Sequence, residues 1–116
     1  RAGKAHNQVM LYKFKSKATG DLIMLEPQGR QILSLIGKAP APKGILQVAE
    51  MPAAIEALQA AVLAHEAARA EALQQAHAKG TDPEREEGIS LRQRAAPFIE
   101  MMRRCLKEEH DLVWGV

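Results

Sequence analysis

Aromatic residues, cysteine and net charge are all scarce in this 116-residue sequence. One Trp, one Tyr and two Phe mean that a core must come mostly from Leu, Ile, Val, Met and Ala. The single cysteine excludes an internal disulfide. A net charge of +2 is too small to indicate nucleic acid or a membrane surface as partner. No apolar run approaches 18 residues, so we expect a cytoplasmic protein.

The length is that of one domain with a core of its own. We expect residues 10–116 to form this single globular domain, because a strand pattern begins directly after Met10. Residues 1–9 are expected to be a non-native extension or tag remnant. Residues 81–88 are polar and acidic and are predicted to be a mobile linker.

Alternating and continuous apolar runs predict a small sheet. Residues 12–17 alternate apolar and basic side chains, the period of a half-buried strand, and a turn separates them from the apolar run 22–25. We expect 22–25 to be the inner strand of this hairpin, because it is apolar on both faces. The C-terminal run 112–116 is predicted to join the same sheet, with 45–48 as a further short strand.

Three segments have helical patterns, near 27–36, 52–79 and 90–109. The last is the clearest, with one apolar arc about 120° wide and basic residues on the opposite side. That arc consists of Leu91, Ala95, Phe98, Ile99, Met102, Cys105 and Leu106. The predicted fold is therefore α+β: a mainly antiparallel sheet packed against two long helices and one short helix.

The middle helix changes character along its length. Ile55, Leu58 and Val62 form an apolar stripe, whereas His65 and Arg69 occupy positions where apolar side chains should continue. Alanine keeps this second half helical but gives it little to bury. We expect it to project from the body or to pack weakly against another helix, with His65 as a partly exposed structural histidine.

Several short segments, in their order along the chain, resemble a bacterial family known as domain of unknown function 1840. The resemblance runs from residue 10 to 116 and implies kinship without an activity, cofactor or site residue. It is carried by 11–16, 36–38, 44–45, 51–55, 88–98 and the terminal Val-Trp-Gly-Val at 113–116.

Motifs that would carry chemistry are weakly represented, and we predict no catalytic, cofactor-binding or metal-binding residue. Cys105 lies on the apolar arc, which favours a small buried hydrophobe over a nucleophile. The four histidines lack zinc-ligand spacing, and the sequence Glu109-His110-Asp111 is more typical of a charged helix end than of a metal site. Gly37-Lys38 lacks the other residues of a phosphate-binding loop.

Two groups of basic residues are candidate surfaces for binding anions. Lys13, Lys15 and Lys17 could meet anions, but the strand pleat points them away from Tyr12 and Phe14, so we expect a solvated edge strand. Basic residues also follow one side of the last helix, where acidic residues interrupt them.

We therefore expect a non-enzymatic protein-interaction or regulatory module that can self-associate as a homodimer. Weak nucleic-acid or anionic-ligand binding through Lys13, Lys15, Lys17 and the arginine face of the last helix stays open. An enzyme whose site the sequence does not reveal stays open as well. The expected interaction residues are His65, Arg69, Leu73, Arg92, Arg103 and Lys107.

Overall fold

A computed structural model describes residues 10–81 and 89–115. The fold is α+β, as the sequence predicts, with a four-stranded antiparallel sheet and three helices on one of its faces. Along the chain lie β1 (Leu11–Ser16), β2 (Thr19–Leu25), α1 (Glu26–Leu35), β3 (Gly44–Leu46), α2 (Met51–Ala78), α3 (Leu91–Glu108) and β4 (Leu112–Trp114). A single 3₁₀ turn, Val48–Glu50, precedes α2. The predicted extension 1–9, the predicted linker from 82 to 88 and residue 116 lie outside the described residues.

The strand order β2-β1-β4-β3 corrects two expectations. The apolar segment 22–25 belongs to an edge strand and is not the inner one, and the lysine-bearing strand β1 is internal, not an edge. The reason is that β4 pairs with the free side of β1, with Phe14 opposite Trp114. The β1–β2 hairpin is local, but this second pairing joins residues about a hundred positions apart, which no local pattern specifies.

Phe14 is the centre of the core and is fully buried. Its ring meets Phe98 of α3 edge-on at a centroid distance of 4.9 Å and Trp114 of β4 at 5.9 Å. Aromatic pairs favour such edge-to-face geometry. The four aromatic side chains are thus concentrated at the contact of sheet and helix, while aliphatic residues fill the rest.

Helix α3 packs as its periodicity predicts. Ile99, Met102 and Cys105 are buried on the core side, whereas Arg103 is exposed. The helix begins with a capping box, in which Ser90 Oγ accepts from the Gln93 N–H and the Gln93 side chain accepts from the Ser90 N–H. It ends at Glu108, and the C-cap residue Glu109 lies in the left-handed region with φ of 60°.

The segment between α1 and β3 is held down by two aromatic side chains. Tyr12 Oη donates to the Pro40 carbonyl at 3.0 Å, and Trp114 Nε1 donates to the Ala41 carbonyl at 3.0 Å. Gly29 in α1 lies directly over the Tyr12 ring, and a side chain there would overlap it. The absence of a side chain at Gly29 therefore lets α1 approach the sheet closely.

Helix α2 begins at Met51, with Glu50 as its N-cap residue and Pro52 in its first turn, and its first half is well packed. Leu58 and Val62 are buried against the core, and Ile55 packs at its margin. After Val62, Ala76 is the one buried residue among those described in α2. The second half is mostly exposed, which agrees with the apolar stripe fading along the sequence.

Candidate functional site

A groove with a volume of about 410 Å³ lies between α2 and α3 on the helical side of the protein. We call it the α2–α3 groove. Val62, Leu63, Ala96 and Ile99 give it an apolar floor, and Gln59, Arg92, Glu100 and Arg103 stand at its margins. Leu63 is 61% exposed, which is unusual for a large aliphatic side chain beside a helix contact.

Ion pairs border this groove. Arg92 Nε and Nη2 donate to the two Glu66 carboxylate oxygens at 2.6 and 2.7 Å, across the two helices. Arg103 donates to Glu100 at 3.0 Å within α3. The hydrogen bonds from Arg92 hold the pKa of the Glu66 carboxyl below its ordinary value, and Glu66 in turn raises the pKa of Arg92. The groove therefore has an apolar floor with both charge signs along its rim.

The structure brings some of the predicted interaction residues together and leaves others apart. Arg92 and Arg103 both line the groove, whereas Lys107, one helical turn beyond Arg103, is exposed and outside it. His65 and Arg69 are half-buried on α2, and Leu73 is exposed further along the same helix. Because Arg92 at the start of α3 meets Glu66, the α2 residues after 66 extend past that end of α3.

Sequence reasoning missed two contributors to the groove, Leu63 and Ala96. Leu63 lies outside the stripe formed by Ile55, Leu58 and Val62, and Ala96 lies outside the arc of α3 that packs on the core. Their combination was not predictable, because each is unremarkable on its own helix. Leu63 alone carried a signal, as a large apolar residue off the buried face of α2.

Strand β1, which carries the lysines, alternates buried and solvent-facing side chains as the sequence predicts, although it is an internal strand of the sheet. Tyr12 and Phe14 are buried on the core side, whereas Lys13 and Lys17 are exposed and Lys15 is half-buried. The aromatic rings are therefore not available for stacking on bases. Any anion meeting this strand would contact lysine side chains and their aliphatic neighbours.

Two residues of types that can act in catalysis or bind metals, Cys105 and Asp111, contribute to the fold. Cys105 is fully buried, and burial raises the pKa of its thiol, which disfavours the reactive thiolate. Asp111 Oδ1 accepts from the Val48 N–H at 2.9 Å and so ties the end of α3 to the turn before α2. Within residues 10–81 and 89–115, no three His, Cys, Asp or Glu side chains are grouped as a metal site.

Searches for related proteins give one family. The family "Domain of unknown function (DUF1840)" matches residues 10–114, nearly the whole chain. The chain belongs to this family, as the order of its segments indicates. No curated protein and no solved structure matches it. In the described part of the chain, every helix is too short or too polar to cross a membrane.

Proposed function

We propose that this chain is a non-enzymatic protein-interaction module of the bacterial cytoplasm that self-associates through the side formed by α2 and α3. The α2–α3 groove is the observation that carries the proposal. Its apolar floor remains open to solvent at Leu63, and burial of such a side chain is the main favourable term in association.

Charge at the groove suits a second copy of the same chain. Its borders carry Arg92 and Arg103 together with Glu66 and Glu100, so basic and acidic groups are matched in number. In a two-fold dimer the same patch meets itself, and a patch with both signs can pair with its own copy. A patch of one sign would repel itself.

The exposed half of α2 extends the same surface. His65, Arg69 and Leu73 continue the helix side that is buried as Leu58 and Val62 nearer the body. Their helix continues about 18 Å beyond Glu66, and its alanines allow another helix to approach closely. A second copy packed along this length would give Leu73 an apolar neighbour.

Solution mass tests this proposal directly. Size-exclusion chromatography with light scattering, from low to high micromolar protein, should give twice the mass of one chain at the upper end. Leu63→Glu or Leu73→Glu should shift the protein to the monomer, because each buries a carboxylate in the contact.

Ile45→Glu is the matched control, since Ile45 is exposed on the far side of the sheet. It should leave the dimer intact, and circular dichroism should show all three variants folded. A wild-type monomer at high micromolar concentration contradicts the proposal. So does a dimer that Leu63→Glu and Leu73→Glu leave unchanged.

A further inference from the structure

The sheet has a second face, opposite the core, which no helix covers in the described part of the chain. We call it the open sheet face. The cross-strand pairs Leu11–Leu25, Lys13–Ile23 and Lys15–Val113 put their side chains on this face, and Ile45 joins it opposite Val113. Both edges and the centre of the sheet therefore contribute to one continuous surface.

Apolar residues on this face are unusually exposed. Leu11 is 54% and Ile23 is 51% exposed, and Leu25 and Ile45 are exposed as well. They lie in two groups, one around Leu11, Ile23 and Leu25 and the other at Val113 and Ile45. Contiguous exposed apolar area of this kind is typical of a surface that another molecule covers.

Lys13 and Lys15 separate the two apolar groups. Among residues 10–81 and 89–115, no carboxylate forms an ion pair with either lysine. Basic residues elsewhere do have acidic neighbours, as in Arg92–Glu66 and Lys38–Glu50. The open sheet face thus has two lysines at its centre that form no ion pair within the described residues, with carboxylates only at its border.

The positive charge of Lys13 and Lys15 indicates which kind of partner can bind the open sheet face. Two copies stacked face to face about a two-fold axis would bring the lysines together, so the surface is not self-complementary. Asp21, Glu109 and Asp111 border the same face near Lys15 and Lys17. A uniformly anionic surface, such as a nucleic-acid backbone or an acidic membrane, would meet those carboxylates too, which favours a partner with localised acidic groups.

We propose that the open sheet face docks an amphipathic helix of a partner protein that carries two acidic residues one turn apart. Helices are the usual cover for an exposed sheet face. Residues four apart on a helix rise about 6 Å, and two residues apart on a strand rise about 6.6 Å, so such a pair can meet Lys13 and Lys15 together. Apolar residues beside the acidic pair would cover the Ile23 and Val113 sides. This surface is separate from the α2–α3 groove and does not depend on self-association.

A synthetic peptide serves as the probe. It has about 20 residues, a leucine stripe and two glutamates one turn apart beside that stripe, and it carries a fluorophore for anisotropy. Wild-type protein should bind it, and a Lys13→Glu, Lys15→Glu double variant should bind at least about tenfold more weakly, because two attractions become repulsions. A peptide with lysines in place of the two glutamates should prefer the double variant. Amide shifts of ¹⁵N-labelled protein should change on β1, β2 and β4.

Leu63→Glu is the control, because it alters the α2–α3 groove and leaves the open sheet face intact; its affinity for the peptide should equal that of the wild type. Thermal melts establish that the variants are folded. Equal binding of the two peptides by the wild type, absence of binding, or shifts confined to α2 and α3 would each overturn the proposal. Sedimentation with phosphatidylserine-containing vesicles that depends on Lys13 and Lys15 would overturn it in favour of a membrane.

Discussion

Arg92 and Glu66 form a two-pronged ion pair that joins α3 to α2, with hydrogen bonds of 2.6 and 2.7 Å. The planar guanidinium matches the carboxylate, so the pair specifies an angle as well as a distance. It links the first turn of α3 to the middle of α2 and borders the α2–α3 groove. Arg92 therefore aligns the two helices and contributes charge to the proposed contact surface.

We predict a measurable coupling between these two residues. In a double-mutant cycle with Arg92→Ala and Glu66→Ala, the two losses of unfolding free energy should add to more than the loss in the double variant. The coupling should shrink as salt rises, because both groups are exposed to solvent. Urea denaturation at low and high ionic strength measures it. The same double-mutant cycle on Arg104 and Glu108 serves as the comparison, because that ion pair lies within α3 and does not join two elements.

Glu50 should make the stability dependent on acid. The Gln47 N–H donates to its carboxylate at 2.8 Å and Lys38 at 3.1 Å, and these contacts hold the Glu50 pKa below its ordinary value of 4.5. A lowered folded-state pKa means that the contribution is complete above pH 4.5 and is lost as pH falls through the folded-state pKa.

The advantage of the wild type over Glu50→Gln should therefore be greatest near neutral pH and shrink in acid. Denaturation midpoints across a pH series measure this difference. Lys38→Met removes one of the two donors to the Glu50 carboxylate, so the stability of this variant should depend less on pH than that of the wild type. If the difference in stability between the wild type and Glu50→Gln grew in acid, the prediction that the ionised Glu50 carboxylate stabilises the fold would be wrong.

Phe98 tests the assignment of the core. Its side chain is fully buried against Phe14, so Phe98→Ala should cost about 3–5 kcal/mol in unfolding free energy. The neighbouring Pro97 is exposed on the other side of α3, and Pro97→Ala should keep or raise stability by restoring a helix N–H. A loss below about 1 kcal/mol for Phe98→Ala would mean that the side chain is not in the core.

Gly29 is predicted to resist replacement even though alanine favours helices. A Cβ there would lie 2.7 Å from Tyr12 Cγ and 2.9 Å from Tyr12 Cβ. The gain in helix propensity is about 1 kcal/mol, and overpacking of this kind costs about 1–3 kcal/mol, so Gly29→Ala should destabilise the protein. Gly20→Ala, with open space around it, is the control and should change thermal stability little. A more stable Gly29→Ala variant contradicts the close contact of α1 with β1.

Tyr12 and Trp114 should protect the segment before β3. Tyr12→Phe removes the hydroxyl that donates to Pro40, at a cost of about 1 kcal/mol, and leaves the ring in place. The freed segment should be cut faster by trypsin after Lys43. Trp114→Phe removes the hydrogen bond to Ala41 and should act in the same direction with an added packing loss. Unchanged cleavage in Tyr12→Phe would show that other contacts hold the segment.

The helices were predictable to within one or two residues because their signals are local. Ser90 with Gln93 marks the start of α3, Pro52 marks the start of α2, and the 3.6-residue period identifies the buried side of α3. The strands were also located, but the apolar run at 22–25 was placed wrongly in the sheet. An apolar run on both faces has two explanations, a central strand or an edge strand with an exposed apolar side, and Ile23 shows the second.

The proposed contact surfaces were less predictable than the helices, because each combines residues from different elements. Arg92 and Arg103 are interaction residues predicted from the sequence, and that role stays a prediction; the groove that they line also needs Leu63, about thirty residues earlier in the chain. The open sheet face combines Leu11 and Leu25 across a hairpin with Ile45 at the opposite edge. Periodicity within one element shows which side it buries; it does not show which exposed sides of two elements become neighbours.

Amino-acid order by itself determined the element types, the helix boundaries and the buried sides of β1 and α3, because caps, turn residues and apolar periods act over a few residues. Tertiary structure alone decided that β4 pairs with β1, that Glu66 meets Arg92 and that no helix of the described residues covers one face of the sheet. Those outcomes depend on the free energy of packing the whole chain, which includes contacts between residues far apart in the sequence.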